Sequence, residues 1–407
     1  MNVPPRRLLV RGVNWLGDAV MTTPALRRLR ERFPEADITL LTHEKLADLW
    51  RRHPSLNGIL TFGRDDGAWS VARRLREKAF DLALVLPNSP RSALEVWLAR
   101  IPQRVGYARP WRNWLLSRPV SPRPGYVKMD KLSSREVRRL IHLPPGHESR
   151  FTNHVSRLTP AAHQTYEYLH LAAALGASSD PLPPELSVVA EESDAAALKF
   201  GLAGESSRIS PASAAQVSSS GGALSALGKR GTKGEVPILG LNPGAEYGPA
   251  KRWPPERFIA VAREIQQRTG CVWLIFGGKG DAPLAGNIHA ALAGPGSAAL
   301  NLAGKTSLRE LMALLKVCRV LLTNDTGPMH IAAALGTPVV APFGSTSLQL
   351  TGPGLPGDAR HHLLNAGAPC SPCFRRTCPI DFRCMTGITV EAAVAAIQEA
   401  LKEENRP

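Results

Sequence analysis

Short apolar runs recur along the chain, each closed by a polar or glycine-bearing turn and followed by a segment whose apolar residues return every three or four positions. From Arg6 the order reads as a strand (RRLLVRG), a turn (VNWLGD), an amphipathic helix (AVMTTPALRRLRERF), a strand (ADITLLT) and a helix (EKLADLW). A second series opens at Val236 with the strand VPILGLN. It continues through the helix PERFIAVAREIQQRTG, the strand CVWLIFGG, helices near DAPLAGNIHAALAG and SLRELMALLKV, the strand RVLLTN, a helix from Thr326 and the strand PVVAPFG. Strands that alternate with helices in this way predict parallel sheets joined by right-handed crossovers. Two such series predict an α/β protein with two Rossmann-like domains.

Between the series, residues 206–235 are rich in Ser, Gly and Ala and poor in large apolar side chains. Such a stretch buries too little to offset its ordering entropy, so it is expected to be a disordered insertion. The expected division is therefore a first domain over 1–185, the insertion, a second domain over 236–388, and a final helix within 389–407 that is expected to pack back on the first domain.

Composition places the chain among soluble globular proteins, with 43% hydrophobic and 21% charged residues. Charge changes the picture more. Of the net +16, residues 1–150 carry +14, with 28 Lys and Arg against 14 Asp and Glu. An excess on one side favours an acidic partner: nucleic acid, anionic lipid or a phosphorylated substrate. The amino terminus has no signal-peptide core, and no apolar run approaches the ~20 residues of a spanning helix. The chain thus reads as cytoplasmic.

Three stretches carry candidate chemistry, each at a strand-to-helix junction of the kind where α/β folds bind ligands. In LLTNDTGPMHIAAALGTPVVAPFG, Asp325 and Thr326 precede Gly327, which permits close backbone approach, and His330 falls in the first helical turn. The competing reading is a helix-capping Asp325 and an interior His330. An aspartic-protease reading of Asp-Thr-Gly fails because helix-forming residues follow it. In LNPGAEYGPAKRWPPERF, the Pro-Gly-Ala turn exposes backbone amides and Lys251 stands before a helix as a point charge suited to phosphate. A solvated Lys251–Arg252 pair is the plainer alternative. In RGVNWLGDAVMTTPAL, Asp18 lies near a helix start, either as a proton acceptor or as another cap.

These stretches, with HQTYEYLHLAAALG and PNSPRSALEVWLARIPQRVGY, resemble the heptosyltransferases of glycosyltransferase family 9 over nearly the whole chain apart from the insertion. The resemblance implies a GT-B fold. It implies a nucleotide-sugar donor in the second domain, an acceptor in the first, and inverting transfer of L-glycero-D-manno-heptose from ADP-heptose to a heptose of the lipopolysaccharide inner core. Carried over by position, Asp18 is the expected general base and Lys251 the diphosphate-binding lysine. Gly244, Ala245, Asp325, Thr326, Gly327 and His330 are the expected donor contacts, with Asp281 at the ribose and Thr306 beside adenine. Asn88, Arg91, Arg104 and Arg109 are the expected acceptor contacts, with Arg112, Lys128 and Lys131 as further basic candidates. Catalysis is expected to need no cofactor, since lysine and helix charge meet the diphosphate. The implied acceptor is the Kdo-bearing lipid A inner core, with peripheral contact to the cytoplasmic leaflet of the inner membrane. Within the family, an enzyme acting on Kdo or using another sugar is the near alternative.

Cys370, Cys373, Cys378 and Cys384 follow C-x2-C-x4-C-x5-C spacing. In a reducing compartment they read as a structural metal site or as reduced thiols packing a loop. A nucleic-acid-binding protein is the distant rival, opposed by the lack of an RNA-recognition signature or an aromatic-interleaved basic run. A dehydrogenase is weaker, because neither first strand is followed by G-x-G-x-x-G.

Overall fold

The computed structural model describes residues 4–142, 162–202, 236–293 and 298–403, so the stretch 206–235 lies outside the described residues. The described chain forms two compact units: residues up to Val127 with 162–187, and 128–142 with everything from Val188 onward.

The first unit holds a six-stranded sheet of β1 (Arg7–Arg11), β2 (Asp37–His43), β3 (Gly58–Phe62), β4 (Leu82–Val85), β5 (Gln103–Tyr107) and β6 (Arg118–Val120). Its order is β3-β2-β1-β4-β5-β6, all parallel. The second unit repeats this plan with β7 (Ile238–Asn242), β8 (Val272–Ile275), β9 (Ala299–Asn301), β10 (Val320–Thr323), β11 (Val339–Phe343) and β12 (His361–Asn365). There the order is β12-β11-β10-β7-β8-β9, again parallel. In each sheet the first and fourth strands are neighbours, and the connections leaving them run in opposite directions. A crevice opens beyond their carboxyl ends, which is where such sheets bind ligands. Both sheets expected from the apolar runs are present.

Helices cover both faces because the central strands are buried throughout. Leu8, Leu9 and Val10 in β1 and Leu239 and Leu241 in β7 are fully enclosed. The single helix expected over AVMTTPALRRLRERF is broken into Leu16–Met21 and Thr23–Arg32. Pro24 has no N–H for the carbonyl of Val20. The Thr23 hydroxyl donates to that carbonyl instead at 2.9 Å, and Thr22 does the same for Ala19 at 2.6 Å. The segment Glu44–Trp50 is a 3-10 helix whose buried Leu46 and Leu49 fit a repeat of three residues per turn.

The final helix, Val390–Glu403, packs within the second unit. Its stripe of Ala393, Val394, Ile397 and Ala400 is part of the second unit's core, with Trp253, Val261 and Ile265. It lies against the helix Pro255–Thr269 and strands β10 to β12. An apolar stripe at this spacing specifies that a helix packs, and the continuous apolar surface offered by that helix and those strands specifies where.

Candidate donor and base sites

In the second unit, the two strands flanking the crevice end in register, Asn242 of β7 beside Thr323 of β10. Asn242 Nδ2 donates to Thr323 Oγ1 at 3.0 Å. Asn324 then joins the two departing loops, its amide donating to Pro243 O at 2.7 Å and its Oδ1 accepting the Trp253 N–H at 2.9 Å. The turn containing Gly244 and Ala245 and the segment leading to Lys251 are thereby fixed against the start of the helix Gly327–Ala334.

Lys251 and Asp325 meet at this junction. Lys251 Nζ lies 2.6 Å from Asp325 Oδ2, with side-chain exposures of 13% and 4%. The same carboxylate oxygen accepts the Thr346 hydroxyl at 2.5 Å. Lys251 also stands 5.0 Å from the centre of the Tyr247 ring. Asp325 thus serves as acceptor for two side chains and holds the ammonium in place; a charge held this way is pre-organised for an anion. Thr326 caps the adjoining helix in extended conformation, Gly327 begins it, and His330 is buried in its first turn. The positive end of that helix's dipole adds to the lysine's charge. A cavity of about 340 Å³ opens beside Thr346, lined also by Ser347, Gln349, Asn365 and Ser371.

Asp281 sits against the Gly244 turn. A Cβ at Gly244 would fall 2.4 Å from its carboxylate, so any larger residue there would displace Asp281. The Asp281 carboxylate accepts the Gly278 N–H at 3.1 Å and lies 3.6 Å from Arg252. Gly304 donates to Gly277 O at 2.9 Å, which sets the loop that leads to Thr306 beside the Asp281 loop.

The cysteine segment braces this site from the side. Ala250 N–H donates to Arg376 O at 2.9 Å, and the Tyr247 hydroxyl to Phe374 O at 2.8 Å. Phe374 N–H reaches Ser345 O at 2.7 Å, one residue before Thr346. All six cysteines are free thiols. Cys370 and Cys373 pack with Leu132, Val137 and Leu140, whereas Cys384 belongs to the main core of the unit. Burial pushes the Cys370 thiol up to about 11 and Cys384 to about 12. Among the described residues, no three or more Cys, His, Asp or Glu are grouped to hold a metal ion. Cys370, Cys373 and Cys378 each raise the Cys384 thiol further, so the four lie within electrostatic reach of one another although they pack on different neighbours.

In the first unit, Asp18 lies in the first turn of the helix that follows β1. Gln164 Nε2 donates to Asp18 Oδ1 at 3.3 Å and to the Tyr168 hydroxyl at 3.0 Å. Tyr168 is fully enclosed, and burial raises its phenol well above the usual value. It remains neutral and gives Gln164 a fixed seat. Beneath the loop, Arg11 is buried against Glu95 at 2.9 Å and donates to Asn14 Oδ1 at 3.2 Å.

The basic residues of this unit divide by use. Asn88 is exposed just beyond β4. Arg91 pairs with Glu95 at 3.0 Å. Arg104 is spent on the carbonyls of Ile101, Pro102 and Leu115, and Arg112 is fully buried on Pro87 O at 2.6 Å. The Arg109 guanidinium lies near the rings of Tyr107 and Tyr126, at 5.6 and 5.2 Å. Lys128 and Lys131 belong to the second unit, and Lys128 pairs with Asp130 at 2.6 Å.

Two doubly wound parallel sheets, one with a lysine–carboxylate corner at its strand crevice, define the GT-B class of glycosyltransferase. The family glycosyltransferase family 9 (heptosyltransferase) matches residues 68–131 and 146–382, and the chain belongs to that family. It is 30% identical over 354 residues to lipopolysaccharide heptosyltransferase 2 of Salmonella typhimurium, covering 85% of each chain. Among solved structures it resembles the ADP-heptose lipopolysaccharide heptosyltransferase II of Escherichia coli, at 26% identity and a TM-score of 0.71 over 98% of this chain and 100% of that one. A family 9 glycosyltransferase of Veillonella parvula shares the fold at 20% identity, with a TM-score of 0.71 over 98% of both chains.

Proposed function

We propose that the chain transfers L-glycero-D-manno-heptose from ADP-heptose to a heptose of the lipopolysaccharide inner core, with inversion at the anomeric carbon. The observation that carries this reading is the Lys251–Asp325 pair, 2.6 Å apart at the crevice of the second sheet, in a chain of family 9. Names of relatives support the donor and acceptor: they are heptosyltransferases of lipopolysaccharide or lipooligosaccharide, and the Escherichia coli structure is described by ADP-heptose.

In this reaction the acceptor hydroxyl attacks the anomeric carbon of heptose, and the carboxylate of Asp18 takes its proton. The bond from that carbon to the β-phosphate oxygen breaks, and ADP leaves with the electron pair. Lys251 and the start of the helix Gly327–Ala334 take up the charge that develops on the diphosphate. Gly244 and Ala245 offer backbone amides, Asp325 keeps Lys251 in position, and Asp281 and Thr306 serve the nucleoside. Asn88, Arg91 and Arg109 serve the phosphorylated acceptor, the Kdo-bearing inner core of lipid A at the cytoplasmic leaflet of the inner membrane. Among the described residues no helix is long and apolar enough to cross a membrane.

The test is incubation of the purified chain with ADP-heptose and a panel of truncated inner cores, followed by product mass. A gain of one heptose on a core that already carries one is the expected result. Transfer to a core ending in Kdo would assign the other acceptor, and no transfer to any core would refute the reading.

A further inference from the structure

Four of the chain's eight tryptophans fall between positions 69 and 114, and all four are exposed: Trp69 by 71%, Trp97 by 40%, Trp111 by 86% and Trp114 by 66%. They share one layer of the first unit. The helices Ala68–Glu77 and Pro90–Leu98 bury Val71, Leu75, Ala93 and Val96 in one core cluster, which also takes Leu115 and Leu116 from the loop beyond β5. The two helices run side by side in the same direction, because Arg91 reaches Asp66 O at their starts and Arg76 reaches Leu98 O, at 2.6 Å, at their ends. Trp97 packs edge-to-face on Trp114 with ring centres 5.7 Å apart, which ties the helical layer to the loop.

The loop is held rigidly with a tryptophan pointing into water. Arg112 is buried and anchored on Pro87 O, and Arg109 N–H donates to Asn113 Oδ1 at 2.8 Å. Between them Trp111 has a φ of +67°, a left-handed conformation that disfavours bulky side chains. The residue is 86% exposed, so little of its ring is buried by the fold. A residue kept at such a position at the expense of stability points to an external contact.

Charge selects the partner. Residues 64–118 hold 11 Lys and Arg against 5 Asp and Glu. Of the acids Glu95 is buried and Asp66 is paired with Arg74, whereas Arg73, Arg76, Lys78, Arg91 and Arg100 are exposed. A second copy docking on this face by a two-fold axis would set these cations against themselves. The Trp97–Trp114 pair is crossed at 73°, so it offers bases no parallel stacking faces. Indole rings favour the boundary between headgroups and acyl chains, and each nearby Lys or Arg is attracted to anionic lipid.

We propose that this layer, with Trp69, Trp97, Trp111 and Trp114 among Arg73, Arg76, Lys78 and Arg100, is a docking surface for an anionic phospholipid bilayer. It deepens the functional reading above, in which the acceptor is borne by a lipid, but its test needs no transfer activity.

The full chain is sedimented with vesicles of phosphatidylethanolamine and phosphatidylglycerol, and with vesicles of phosphatidylcholine alone. Binding to the anionic vesicles, at least about tenfold stronger than to the neutral ones and weakened by salt, is expected. The double variants Trp111→Gly/Trp114→Ser and Arg73→Glu/Arg100→Glu should each lower that binding about tenfold or more while the far-ultraviolet circular dichroism spectrum and the urea unfolding curve of the chain are retained, which shows that they fold. Trp111→Gly alone should be at least as stable as the wild type and still bind vesicles less well, a combination that a structural role would not produce. Equal binding to both vesicle types, or unchanged binding in both double variants, would overturn the proposal. So would dimers abolished by the tryptophan changes, or a single-stranded oligonucleotide bound more tightly than vesicles through the same residues. Vesicle binding without heptose transfer would leave this surface standing and remove the activity; transfer to an acyl-free acceptor without vesicle binding would do the reverse.

Discussion

Lys251 reaches across from the connection after β7 to the carboxylate of Asp325 after β10, 2.6 Å away, and so bridges the two strands from which the chain departs in opposite directions. The ammonium is nearly enclosed and its partner more so. Removing the cation from such a pair leaves a buried carboxylate with only the Thr346 hydroxyl, a loss of about 3–5 kcal/mol for buried pairs in general. Lys251→Ala should therefore lower both urea stability and ADP affinity. Thr346→Val, which removes one hydrogen bond to a charged group, should lose about 1.5–3 kcal/mol at most. Paired urea titrations and calorimetric ADP binding check the ranking; a Lys251→Ala chain that binds ADP as the wild type does would remove the lysine from the diphosphate.

Asp18 and Gln164 are 146 positions apart in sequence and 3.3 Å apart in space. An amide N–H donated to a carboxylate favours its charged form. Asp18→Asn should reduce turnover by a factor of about 10² to 10⁴, the usual contribution of a positioned base, while ADP-heptose binding is kept. Gln164→Leu should be milder. It loses the donor that orients the carboxylate, so turnover should fall while ADP-heptose binding is kept. Turnover of the Gln164 variant equal to that of the wild type would show that the amide does not position the base.

Strands β1, β2, β7, β8, β10 and β11 were legible because each is a local apolar run, whereas β3, β6 and β9 are short or half-exposed and carry no such signal; the strand ends, glycine turns and helix starts that hold the candidate residues are local too. Pro24 marks a helix break, although the hydroxyl of Thr23 that takes over its lost hydrogen bond to Val20 O only acquires meaning in three dimensions. Gln164 and Thr346 could not be assigned roles from sequence. Their partners lie 146 and 21 residues away, and nothing in a Gln or Thr alone marks it as a donor to a carboxylate. The final helix shows the same limit: its alanine and valine stripe declared an apolar face but carried no address. For the cysteines, spacing carried no sign that Cys370 and Cys373 pack on Leu132, Val137 and Leu140 while Cys384 joins the main core.

Burial lowers His53 to about 4 from its usual 6.5. Its Nδ1 accepts the Ser55 N–H at 3.2 Å, a bond that protonation would remove. Above about pH 6.5 the ring is neutral folded or unfolded, and its contribution is constant. Between about 6.5 and 4 only the unfolded chain binds the proton, so stability falls as pH falls, by up to about 1.4 kcal/mol per pH unit for one such group. His361, also lowered to about 4 mainly by burial, acts in the same sense. Urea midpoints at about pH 7 and about pH 5 should show a smaller drop in His53→Gln than in the wild type; an equal drop would place the acid sensitivity elsewhere.

Arg11 and Glu95 form the most deeply buried ion pair described in the first unit, with side-chain exposures of 3% and 0%. The Arg11 guanidinium also lies 4.3 Å from the centre of the Phe62 ring and donates to Asn14 in the loop that leads to Asp18. Burial lowers the guanidinium's affinity for its proton, and Glu95 opposes that shift. Glu95→Ala would leave the cation without its counter-charge, and a loss of about 3–5 kcal/mol is expected. The double change Arg11→Met/Glu95→Leu removes both charges and should recover much of that stability. Activity should not recover with it, because Asn14 loses the donor that holds the loop under Asp18. Melting curves and turnover measured on the same three proteins separate the two contributions. A double variant restored in both would make the pair a matter of stability alone.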